Sequence, residues 1–171
     1  MKTSAIVRSL AGFAALGVLV LMPTGVLAAT TTADLSVGAT VTNNCTISTA
    51  ALTFGTYDPV VGNSSANLDG TGRVSLACTK GATAAIALGA GSGASGSTRR
   101  LADGAGNFLT YDLYQDSGRA VVWSGSGSGL MTPVPATSKV ARDFTVYGRV
   151  QSNQDVPAGA YSDTIVATVN F

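Results

Sequence analysis

Nine aspartates, two cysteines and no histidine bound the chemistry open to this 171-residue chain. Without histidine a Ser-His-Asp triad cannot be built. The serine-rich run WSGSGSG, residues 123–129, does not bring Gly-x-Ser-x-Gly into register. A carboxylate pair of the glycosidase kind could be drawn from Asp58, Asp103 and Asp112. Nothing in their spacing selects them, and aspartate in turns and at strand ends has an ordinary structural reading. The run GSGASG, residues 91–96, formally matches the glycine fingerprint of dinucleotide-binding folds. That fingerprint works where the glycines open a helix whose N-terminus holds a pyrophosphate. Here STRRLADGAGN follows, with no apolar helical stripe. Arg99 and Arg100 could meet an anion, but they fall in what reads as a flexible, solvated glycine-rich loop. Asn44 and Asn63 begin formal glycosylation sequons. No enzyme, cofactor or metal is expected.

Cys45 and Cys78 remain. The first 28 residues begin with Lys2 and Arg8, continue with an apolar stretch from about Leu10 to Met22, and end at Ala28, with a second small residue, Ala29, next. That is the layout of a secretory signal peptide, cleaved after Ala28 or Ala29. The apolar stretch is short for a membrane span of about 20 residues, so no stable membrane anchor is expected. Export makes a disulfide the expected state of Cys45 and Cys78. Without Lys2 and Arg8 the chain keeps eight basic and nine acidic residues, the latter all aspartate. No basic face for nucleic acid is indicated.

The elements that must carry these residues are strands. After the leader no window longer than ten residues holds a helical period. The composition, rich in Gly, Thr, Ser and Val, suits strands and turns. Alternating segments occur at residues 33–42, 45–55, 73–79, 82–90, 108–116, 120–123, 142–151 and 161–171. About seven or eight short strands at near-regular spacing predict an all-β antiparallel sandwich. Leu35, Val37, Ala39 and Val41 share one face of the first segment, and Ile165, Ala167, Val169 and Phe171 share one face of the last. The last segment alternates to its final residue, and a strand edge of that kind needs a partner. The first segment is a surplus strand that could supply one. It pairs either within its own domain or, by strand addition, with the next molecule, and the second choice builds head-to-tail filaments.

The chain resembles the spore coat protein U domain family, the subunits of archaic chaperone–usher pili. The resemblance rests on Cys45 with FGTYDP at 54–59, and on VSLACTKG carrying Cys78. RRL and LTYDLYQD at 109–116 follow, then Trp123, VYGRV at 146–150 and the ending PAGAYSDTIVATVNF. These pieces span nearly all of residues 29–171. The resemblance implies an incomplete immunoglobulin-like sandwich completed by a donor strand. A periplasmic chaperone lends that strand first. At the outer-membrane usher, the N-terminal strand of the next pilin subunit replaces it. Carried onto this chain, the donor segment is residues 29–44, with the strand within 31–41 and Leu35, Val37, Ala39 and Val41 as its inserted side chains. The pilin domain is residues 45–171. Phe54, Val74, Leu76, Ile165, Val169 and Phe171 are expected to line the acceptor groove. The implied product is a secreted surface pilus used in attachment or biofilm formation. The alternative is a self-contained secreted β-sandwich that binds carbohydrate or another surface ligand, with Tyr57, Tyr114 and Trp123 as stacking aromatics.

Overall fold

The structure is a computed structural model that describes Gly25 and residues 27–171. Nearly all of the expected signal peptide therefore lies outside the described residues. The chain divides into two units between Ala39 and Thr40. In the first unit, residues 27–39 carry no helix or strand, and Leu35 and Val37 are exposed. The surplus segment at 33–42 is thus not a strand in this chain.

The second unit holds seven strands. They are β1 (Cys45–Thr53), β2 (Leu68–Cys78), β3 (Ala85–Leu88), β4 (Arg99–Ala102), β5 (Phe108–Tyr114), β6 (Arg142–Val150) and β7 (Ala167–Asn170). A five-stranded sheet runs β1-β2-β6-β5-β4, and a two-stranded sheet pairs β3 with β7. Every pairing is antiparallel. The all-β antiparallel sandwich read from the sequence is present.

Period-two alternation sets which side chains go inward. Val74, Leu76 and Cys78 of β2 are buried, as are Leu109, Tyr111 and Leu113 of β5 and Val146 and Val150 of β6. Trp123 is wholly buried between the sheets and donates its indole N–H to Ile86 O at 2.9 Å. Cys45 and Cys78 form a disulfide with their Cα atoms 4.1 Å apart, joining β1 to β2 where they pair.

Two further expectations fail. Residues 120–123 do not form a strand; they make one bridge, Val122 to Tyr114, before a 3-10 turn at Gly127–Gly129. Conversely, the stretch read as a flexible loop contains β4, paired residue for residue with β5. Arg99, expected in solvent, is buried on its inner face. Its guanidinium donates to Leu88 O at 2.9 Å, Gly89 O at 2.9 and 3.0 Å, and Trp123 O at 2.7 Å. A buried charge is tolerated when its donors find acceptors, as Nε and Nη2 do here. Burial lowers the Arg99 pKa, yet such a group stays protonated. The side chain ties the large sheet to the carbonyls at the end of β3. Replacing Arg99 with Met strands those three carbonyls, and unfolding in urea is expected to show a loss of about 3 kcal/mol.

Candidate functional site

The two sheets are unequal, and the smaller cannot cover the larger. Where the cover ends, the inner face of the large sheet opens into a groove of about 860 Å³. Its floor includes Leu68, Val74, Leu109, Tyr111, Val146 and Val150. One rim is the second half of β1 and its continuation to Tyr57; the other is the chain from Val156 to Ala167.

The second rim is longer than β7 itself. Ser162 exchanges backbone hydrogen bonds with Ala102, Thr164 O accepts from Ser92 N, and Val166 O accepts from Gly89 N. Ile86 and Leu88 turn their N–H groups away, to Met131 and Ser124. Ala85 and Ala87 are then the residues of β3 that face β7, and Thr168 and Asn170 answer them. The even-numbered residues of 162–170 are therefore paired along one edge. Ile165, Ala167 and Val169 direct their N–H and C=O groups the other way, and among the described residues no strand pairs with that edge. Nine residues at about 3.4 Å each make an open edge about 30 Å long.

Asp163 anchors this rim. Its carboxylate accepts from Tyr111 OH at 2.7 Å, Ser92 Oγ and Gly93 N at 2.9 Å, and its neighbour Thr164 N at 2.8 Å. Burial pushes the carboxyl pKa up, but the Gly93 N–H and the hydroxyls of Tyr111 and Ser92 outweigh it, so the pKa is lowered. Burial, and then the bond to Asp163, raise the Tyr111 pKa well above its usual value. These contacts explain the glycine run. Gly91 has φ +97°, and a Cβ there would overlap the Asp163 carboxylate; a Cβ on Gly93 would overlap Arg100 O. The glycines of 91–96 admit a carboxylate from the same chain, not a pyrophosphate.

The other rim is shaped by three inward glycines. A bulge between Ala50 and Thr53 lets Leu52 and Phe54 fold over Gly70, Gly72 and Gly148. The Phe54 ring meets Tyr111 edge-on at 5.8 Å between centroids. A Cβ on Gly148 would stand 2.8 Å from both Leu52 Cδ1 and the Phe54 ring. Both are flexible side-chain ends, so Gly148→Ala lifts them into the groove instead of breaking the sheet. The expected result is a narrower groove in a crystal structure of the variant, at nearly unchanged urea stability.

Of the residues expected in the groove, Phe54, Val74 and Ile165 line it. Neither Leu76, wholly buried, nor the half-buried Val169 side chain lines it. Phe171 corrects the expectation of an inward side chain. β7 ends at Asn170 opposite Ala85, and Phe171, with no partner past that point, is 58% exposed beside a shallow depression with Thr132 and Pro133. Sequence reasoning missed Leu52, Tyr57, Val150, Val156 and Tyr161. The glycines at alternate inward positions 70, 72 and 148 were the available signal for the Leu52–Phe54 ledge. The other candidates are structural. Asp58 and Asp103 each accept N–H groups of their own turns, and Asp112 stands opposite Arg149. Asn63 is buried, and its side-chain amide is bonded to Asp58 N and Ala66 O. Of the stacking aromatics, Trp123 and Tyr114 are buried, and the Tyr57 hydroxyl bonds Gln151 O and Gln154 N.

A sequence model of the Spore Coat Protein U domain matches residues 31–168. The chain belongs to the spore coat protein U family. The match takes in the segment before Cys45 as well as the sandwich. The chain is 44% identical over 163 positions to "Protein U" of Myxococcus xanthus, covering 84% of this chain and 87% of that protein. Among solved structures it matches a chain of the CsuC–CsuE chaperone–tip adhesion subunit pre-assembly complex from the archaic chaperone–usher Csu pili of Acinetobacter baumannii. The TM-score is 0.54 at 22% identity. That match covers 77% of this chain and 40% of the other, so it speaks for a shared immunoglobulin-like fold alone. As a spore coat protein U domain the chain is a structural protein and not an enzyme.

Proposed function

We propose that this spore coat protein U domain is a subunit of a surface pilus, polymerised by donor-strand exchange. Residues 31–41 of one copy fill the groove of the next, with Leu35, Val37, Ala39 and Val41 entering it. Residues 29–44 then act as the donor segment and 45–171 as the domain that receives it. The observation that carries this reading is the groove with its open backbone edge: an apolar floor and unpaired N–H and C=O groups at Ile165, Ala167 and Val169. A strand is the one element that satisfies both, through ladder hydrogen bonds and alternate side chains. Eleven residues suffice for an edge of nine.

The energetics are adequate. Leu35, Val37 and Val41 stand 82–87% exposed, and burying each contributes about 1.5–3 kcal/mol. The ladder adds about 0.5–1.5 kcal/mol per hydrogen bond, net. The disulfide fits folding in an oxidising compartment such as the periplasm. A chaperone that lends a strand there, an outer-membrane usher and export by a signal peptide complete the reading, with the assembled fibre at the cell surface in attachment or biofilm formation.

The test is thermal unfolding of the Val37→Asp variant of the chain from residue 29, whose groove is intact but whose own segment cannot fill a neighbour's, with and without an unaltered peptide of residues 29–41. A bound strand stabilises by mass action, so a saturating peptide at 100 times its Kd should add about 2.7 kcal/mol. No shift at any concentration would refute the reading.

A further inference from the structure

We propose that assembled copies touch at a second place, outside the groove. The turn at residues 58–63 of the receiving copy packs against the disulfide end of the donating copy. This rests on the donor-strand reading and adds a contact to it.

The chain leaving the body is held without slack. Thr79 N donates to Asn44 O at 2.8 Å, Asn44 N donates to Thr79 Oγ1 at 3.1 Å, and Thr79 Oγ1 donates to Thr42 O at 3.1 Å. The backbone is therefore fixed one residue after Val41. A copy whose segment lies in a groove must bring its own disulfide end to the mouth of that groove. Which mouth follows from strand direction. All five strand pairings of the body are antiparallel, and the edge at 162–170 is continuous where that of β1 is broken by a bulge. An inserted strand antiparallel to this edge places Val41 at its start, where Tyr57, Pro59, Pro157 and Tyr161 line the groove.

The turn at 58–63 stands there, and it is rigid. The Asp58 carboxylate accepts the N–H groups of Val60, Val61 and Gly62, and Asn63 is buried with Asn153 N on its carbonyl. These bonds hold Val60 and Val61 in solvent, 81% and 75% exposed. The opposite end of the sheet presents matching valines. Val134 and Val140 are 72% and 68% exposed. Bonds from Gly81 N to Ala136 O and from Arg142 to Val134 O place them beside the disulfide. Charge is complementary as well. Lys80 and Lys139, the two lysines of the body, are exposed at the disulfide end. Asp58 and Asp155 are exposed at the groove mouth, and Asp103 lies next to it through the bridge from Ala102 to Ser162. Apolar tips flanked by opposite charges make a heterologous, head-to-tail contact that repeats along a fibre.

The experiment compares two donors leaving the same groove: a whole copy of the chain and a peptide of residues 29–41. A whole copy should leave more slowly. Val60→Asp with Val61→Asp in the receiving copy should speed release of the whole copy about tenfold and leave the peptide unchanged. Lys80→Asp with Lys139→Asp in the donating copy should do the same, with Asp155→Lys in the receiving copy restoring slower release. Equal release of copy and peptide from the unaltered groove, or variants without effect on the whole copy, would overturn the second contact and leave the donor strand standing. A peptide that fails to bind would overturn both.

Discussion

Val37→Asp is expected to abolish assembly of the chain from residue 29 while leaving the sandwich as stable as before. Val37 is 87% exposed, and no strand of the body includes it, so its replacement removes nothing from the folded unit. In the proposed fibre the same side chain is buried in an apolar groove. The substitution forfeits about 1.5–3 kcal/mol of burial and asks a carboxylate to leave water. Together these weaken donor insertion by three or more powers of ten, on the scale of about 1.4 kcal/mol per tenfold. Sizing by light scattering should find monomers of Val37→Asp where the unaltered chain gives long species. The groove of that variant should still accept an unaltered peptide of residues 29–41. Loss of peptide binding together with assembly would instead mark a fold defect.

The second large effect concerns the disulfide. Cys45→Ser with Cys78→Ser frees a closed loop of 33 residues, worth about 3–4 kcal/mol in the chain-entropy account. The consequence is specific to this architecture. β1 pairs with β2 alone, its first residue is Cys45, and its second half forms one rim of the groove. A sandwich whose smaller sheet has two strands has little reserve with which to hold a loosened edge. The double variant is expected to unfold at much lower urea concentration than the parent. A saturating peptide of residues 29–41 should recover part of that loss through linkage. Reductant should mimic the double variant and leave it unaffected.

The legible and illegible parts of this protein divide on physical lines. Alternation in β2, β5 and β6 put Val74 with Leu76, Leu109 with Tyr111 and Leu113, and Val146 with Gly148 on shared faces, because a strand has only two faces and a period of two, and the structure turns those faces inward. The disulfide was legible because two cysteines in a chain expected to be exported leave one economical pairing. β4 was not legible. It has four residues, two of them arginines, between glycine-rich stretches, and no local pattern reports that Arg99 will find three carbonyls from distant parts of the chain. Leu52 was equally hidden, since its inward turn depends on a bulge and on glycines at 70, 72 and 148 that are remote in sequence. Phe171 misled because alternation continues past the last residue of β3 able to pair with it. Pattern gives direction within a strand, while the end of a strand is set by its neighbour.

Backbone amide hydrogen exchange at Ile165, Ala167 and Val169 tests the central claim most directly. In the free monomer these three amides should exchange quickly, while those of Thr168 and Asn170, which face β3, are slow. On filling of the groove by residues 31–41 of another copy, all three should slow together by orders of magnitude, with Thr168 and Asn170 little changed. Amides at 165, 167 and 169 that are already protected in the monomer, or that stay fast in the assembled fibre, would contradict the account.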